Sequence, residues 1–170
     1  MTFADAFTHW TARAAFVLYV LAVVARLRNR PCAHGWWTTA FLVILVHVTA
    51  AFQFVHHWSH QAAYDDTARQ TMELLGRREG GGVFANYALL AVWGGDVLWR
   101  WLNPAGYLSR PKAVSSSVHG FLAFMWFNAA VVFTHGWFRW IGLTGFVILA
   151  VIAWCQRKTA SAGVRQKQFT

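Results

Sequence analysis

Apolar residues run along this chain in blocks of about twenty, separated by short polar clusters. A helix needs about 20 apolar residues to cross the hydrocarbon core of a bilayer. Five stretches approach that length, at about residues 7–27, 36–57, 83–101, 118–134 and 140–156. The last two are short, and Gly136 and Arg139 separate them. One unbroken helix through both would be about 57 Å long, far beyond a core of about 30 Å. The pattern predicts an all-α integral membrane bundle, a single polytopic domain over residues 1–170 with five transmembrane helices. Between the second and third spans, residues 58–82 form an outer loop or helix. Within it, Ala62, Ala63, Ala68, Met72, Leu74 and Leu75 make a partly apolar face that continues the second helix or lies along the surface. Gly76, then Gly80, Gly81 and Gly82, predict a stop and a turn. Ser115, Ser116 and Ser117 predict an N-cap region for the fourth span.

Composition narrows the class. Hydrophobic residues make up 57% of the 170 and charged residues 12%, about half the share of an ordinary soluble domain. A soluble protein so poor in charge could not cover its surface, and a disordered chain lacks such apolar content. Two cysteines do not make a disulfide scaffold. The formal charge is +9, yet the basic residues sit in short clusters between apolar runs and form no patch interleaved with aromatics. They point to a polytopic membrane protein, with no nucleic acid as a partner. Nine of the 11 tryptophans lie near span ends, as an interfacial belt does.

The same clusters orient the bundle. Arg26, Arg28 and Arg30 follow the first span; Arg100, Arg110 and Lys112 follow the third; Arg157, Lys158, Arg165 and Lys167 follow the fifth. With five crossings all three fall on one side, which the positive-inside rule makes cytoplasmic. The amino terminus is then outside and the carboxyl terminus inside, in the plasma or inner membrane. Cys32 and Cys155 both fall at cytoplasmic ends, where a structural disulfide is not expected.

Polar residues within spans are costly, which makes them functional candidates. An outer layer holds Arg13, Gln53, His56, His57, His60, Asn86, Tyr87 and His135; a middle layer holds His47 and Asn128; an inner layer holds Asp96 and His119. On one continuous helix, Gln53, His57, His60 and Tyr64 share a stripe. His57 and His60, opposite His135 on the fourth span, are the first candidates to hold a cofactor. Adding His56 and Asp65 gives a ligand set for zinc, copper or non-haem iron. Two imidazoles from different spans also suit a b-type haem, with Ala50, Ala51, Ala62, Ala63, Ala129 and Ala130 leaving room for the ring. Asn86 and Tyr87 would be supporting contacts. Asp96 is expected to pair with Arg100, four residues on, or to relay a proton from His119. Arg13 is expected to snorkel or to pair with Asp65 or Asp66, and His47 to bond Asn128.

Three functions fit these residues. The leading one is a His-rich outer site that binds a metal ion or haem for redox or metal-assisted chemistry. The second is a non-catalytic accessory subunit of a larger membrane complex. The third is a homodimeric transporter using Asp96 and His47. No nucleotide-binding glycine motif, no nucleophile elbow and no lysine within a span is present.

Overall fold

A computed structural model describes residues 3–167, with side chains except those of Asp5 and residues 159–167. Arg165 and Lys167 of the tail cluster therefore lie outside the described side chains. The described residues form helices and turns without a strand: α1 (Phe3–Leu27), α2 (Ala33–Phe54), α3 (His60–Leu75), α4 (Gly82–Leu102), α5 (Pro104–Ser109), α6 (Lys112–Phe127) and α7 (Trp137–Lys167). A π-helical turn, Asn128–Val132, prolongs α6. Among the described residues four helical stretches are long and apolar enough to cross a membrane: Ala6–Leu27, Ala33–Phe54, Lys112–Val132 and Trp137–Lys158. The third expected span, α4, has the length but not the apolarity, because it carries Asn86, Gly94, Gly95, Asp96 and Arg100.

The turns follow local chemistry. Asn29 takes the left-handed conformation (φ 52°), and Arg30 N–H closes on Ala25 O at 2.8 Å, the helix-ending pattern that asparagine tolerates better than most residues. Gly76 (φ 68°) ends α3 as its position predicts, and Gly136 (φ 71°) sits in the turn before α7. Elsewhere the expectations fail. The second helix does not run on to His57. It ends at Phe54, and His57 and Trp58 both have positive φ (49° and 57°). Ser59 then caps a new helix, its hydroxyl accepting from Ala62 N–H. The stripe Gln53, His57, His60 and Tyr64 is therefore broken. The helix of the fourth expected span, α6, starts at Lys112, after Pro111 at its N-cap, so Ser115 to Ser117 lie inside it and do not cap it.

Within lipid, helices are held by close packing rather than by escape from water. α1 and α2, joined by a five-residue turn, meet along small side chains, with Ala15, Ala22, Ala25, Ala40 and Ala50 all buried. Rings from four helices fill the centre. Tyr19 of α1 stacks on Trp126 of α6 (5.6 Å between centroids), and Trp93 of α4 meets Trp37 of α2 at 5.1 Å. Phe16 links this cluster to Phe138 and Phe146 of α7.

α7 approaches the π turn through Gly142, where a Cβ would fall on the Ala130 carbonyl. Gly142→Ala is expected to cost about 1–3 kcal/mol through overpacking, read as a lower melting temperature in detergent. Gly120→Ala, with nothing within 4 Å of its Cβ position, should show no such loss.

Candidate functional site

The polar residues gather at the two ends of the bundle. At the first end, α2, the 55–59 turn, α3 and α4 meet. Phe52 lies in the middle, in ring contact with His56 (5.5 Å), Trp58 (5.9 Å) and Tyr87 (6.3 Å). Trp58 Nε1 donates to Gln53 Oε1 at 2.9 Å. His60, on the first turn of α3, packs against Phe84 and Tyr87 of α4. Its Nδ1 shares a hydrogen bond with Tyr87 OH at 2.9 Å. When Nδ1 is the protonated nitrogen, the Nε2 lone pair remains to accept a metal ion, the arrangement in which metal-binding histidines are usually held.

The structure thus joins His60 to Tyr87 directly, while His56 and Gln53 reach that pair only through Phe52 and Trp58. It does not bring the other candidates to them. Among the described residues no hydrogen bond or ring contact ties His57, in the strained turn, Asn86, on α4, or His135, before α7, to His60 or Tyr87. Asp65 accepts from Gln61 of its own helix at 3.1 Å, and Asp66 is taken by Arg69 and Gln70. The pairing of Asp66 with Arg69 holds that guanidinium more firmly protonated than usual. No three His, Cys, Asp or Glu side chains among the described residues stand together as a metal-ligand group. Of the alanines named for a haem, Ala50, Ala63 and Ala130 are buried, Ala51 and Ala62 are half-buried and Ala129 is exposed.

At the second end lies a charged cluster. Asp96, on α4, is 4% exposed. Its Oδ2 accepts from Trp37 Nε1 at 2.9 Å and from Tyr107 OH at 3.1 Å, and its Oδ1 pairs with Arg110. Arg110 Nη2 donates to Tyr107 OH (3.1 Å) and Ser115 Oγ (3.3 Å), and the guanidinium lies 3.9 Å over the Tyr107 ring. Burial pushes the Tyr107 phenol above its ordinary pKa, and the Asp96 charge adds to the rise. The expected partner of Asp96, Arg100, instead lies over the Tyr107 ring at 5.6 Å. The chain makes this exchange possible at Asn103, which caps α5 by accepting from Gly106 N–H at 2.8 Å and folds the segment back. The Asn-Pro dipeptide at 103–104 is the signal sequence reasoning passed over.

No protein-family model, curated protein or solved structure matches this chain.

The remaining candidates also differ from expectation. His47 does not meet Asn128. Its Nδ1 bonds Thr8 O at 2.9 Å and lies 3.3 Å from Thr11 Oγ1, tying α2 to α1, while Asn128 donates to Phe124 O of its own helix. Arg13 does not reach Asp65 or Asp66. It lies over Trp10, Trp137 and Phe138 at 5.0–5.2 Å, a cation–π nest between α1 and α7. His119 sets its ring against Trp37 at 4.8 Å. The expected relay from His119 to Asp96 is interrupted by that indole, which is itself the donor to Asp96.

Proposed function

We propose that this chain is a five-crossing protein of the plasma or inner membrane, amino terminus outside, that serves as a non-catalytic subunit packed against other membrane chains. One observation carries the reading: Asp96 and His47, the two polar residues a transport pathway would use, are spent on fastening helices to one another. Asp96 joins α4 to α2 and α5, and His47 joins α2 to α1. Groups held this way do not offer a proton path or a substrate contact, which counts against the transporter reading built on Asp96 and His47.

The fifth crossing is supported by α4 itself. Its 21 residues span about 31 Å, and it packs between α2 and α6 with Trp93 fully buried. Arg110 neutralises Asp96, so the charge that lowers the apolarity of α4 does not face lipid alone. Five crossings also put Arg26, Arg28 and Arg30, then Arg100, Arg110 and Lys112, then Arg157 and Lys158, on one side. The outer surface of α7 supplies room for a partner. Only 17% of its membrane-crossing stretch is buried within the chain, and Val147, Ile148, Val151 and Trp154 face outward.

Native mass spectrometry of the protein extracted gently from its own membrane tests this. A defined complex with other membrane chains is the expected result; an assembly of copies of this chain alone would favour the homodimeric transporter instead. A monomer that carries a stoichiometric metal would overturn it and favour a second reading, which the His60–Tyr87 hydrogen bond supports: a transition-metal site on the outer rim with His60 as its first ligand. Zinc or copper titration of wild type, His60→Ala and Tyr87→Phe separates the two. Metal binding lost in the first variant and weakened about 10–100-fold in the second marks the metal site.

A further inference from the structure

Two guanidinium groups meet on one hydroxyl at the Arg26 end of the bundle. Arg26 Nη2 donates to Ser115 Oγ at 3.0 Å, and Arg110 Nη2 donates to the same oxygen at 3.3 Å. Like charges this close repel unless an anion stands between or beside them. The carboxylate there is Asp96, and both of its oxygens are taken, by Arg110, Trp37 and Tyr107. Arg26 is exposed and has no carboxylate partner among the described residues.

One further feature adds donors at the same place. α6 begins beside Ser115 with Pro111 at its N-cap, which supplies no side-chain cap, and with no acidic residue in its first turn. Ser115 N–H bonds back to Pro111 O, which leaves the amides of Lys112, Ala113 and Val114 ahead of the intrahelical ladder, at the positive end of the helix dipole. One turn along the same face, His119 Nε2 is buried with no hydrogen-bond partner.

We propose that this end of the bundle binds a phosphate group, held by the Arg26 guanidinium, the Ser115 hydroxyl and the first-turn amides of α6. A phosphate offers enough oxygens to bond a guanidinium in two places and still meet a hydroxyl and backbone amides. Arg110 stays with Asp96 and adds its field from behind. The group comes from the headgroup of an anionic lipid or from inorganic phosphate. The lipid source rests on the membrane reading above, since it needs this end at a bilayer surface.

The test uses the full chain purified in detergent. Retention of phosphatidylglycerol against phosphatidylcholine is measured by native mass spectrometry, and stabilisation by inorganic phosphate against chloride by thermal melting. Arg26→Gln and Ser115→Ala are compared with Arg28→Gln, which removes an exposed arginine two residues further along the chain. A lipid source predicts that phosphatidylglycerol is retained over phosphatidylcholine and is not displaced by millimolar phosphate. A free-phosphate source predicts stabilisation by phosphate with no lipid preference. In either arm Arg26→Gln and Ser115→Ala should weaken binding at least about tenfold, with Arg28→Gln within about twofold of wild type. Equal losses in Arg26→Gln and Arg28→Gln would mean diffuse charge attraction and overturn the site, as would indifference to both anions. Ser115→Ala, the milder change, keeps the test decisive should Arg26→Gln fail to fold. Failure here leaves the number of crossings untouched, because no measurement in it reads topology.

Discussion

Asp96→Ala should cost about 3–5 kcal/mol of stability, the usual consequence of removing one partner from a buried ion pair. The side chain of Asp96 is 1% exposed and that of Arg110 4%, so the abandoned guanidinium has no water to turn to. Trp37 Nε1 and Tyr107 OH lose their acceptor in the same step, and each unsatisfied buried donor adds to the cost. The paired change Asp96→Leu with Arg110→Met should recover more than half of the loss. Apolar replacements of similar volume remove the charges together and leave no cation stranded. Thermal melting of the detergent-solubilised variants reads both. A double variant no better than Asp96→Ala would mean that the pair fixes the position of α5 in a way packing cannot replace.

Trp93→Ala is the second large effect, expected at about 3–5 kcal/mol. Trp93 has no exposed surface and touches rings from three other helices: Tyr19, Trp37 and Trp126. Its removal opens a cavity where α1, α2, α4 and α6 converge, and helices already fixed by the Asp96 and His47 hydrogen bonds cannot close it without shifting. Trp93→Phe should cost clearly less. The indole Nε1 of Trp93 is buried without a hydrogen-bond partner, so the swap leaves no acceptor abandoned and forfeits part of the ring contact only. Equal losses in the two variants would show that the fused ring, rather than aromatic filling in general, sets the packing.

What could be read from the residues alone follows from the range of each interaction. Long apolar blocks announce membrane helices because the bilayer acts on every residue of a span alike. Local stops were legible for the same reason: Gly76 ends α3 and Gly136 marks the turn before α7, since each left-handed conformation belongs to one residue. The break at His57 and Trp58 carried no such mark. Histidine tolerates positive φ better than most residues but tryptophan does not, and no glycine or proline stands between Phe54 and Ser59. The surrounding contacts impose that turn, and with it goes the histidine stripe drawn from helical spacing. Asp96 shows the same limit. Spacing along α4 nominates Arg100, but Arg110 wins because α5 folds back over the helix end. The depth layers of the polar residues placed His60 and Tyr87 together correctly, which needed only that α3 return beside α4. They placed His47 beside Asn128 wrongly, because Thr8 on the neighbouring α1 is nearer.

Whether α4 crosses the bilayer decides on which side the chain leaves α7, and the two cysteines report on it directly. Cys32, just before α2, is exposed, and Cys155 lies in the last turn of the Trp137–Lys158 stretch, where an interface is expected. In sealed, right-side-out vesicles they are treated with a membrane-impermeant maleimide, before and after permeabilisation, using single-cysteine variants. Five crossings place both residues on the inner side, so neither should react until the membrane is opened. Labelling of Cys155 in intact vesicles with Cys32 still protected would mean four crossings, with α4 lying outside the bilayer.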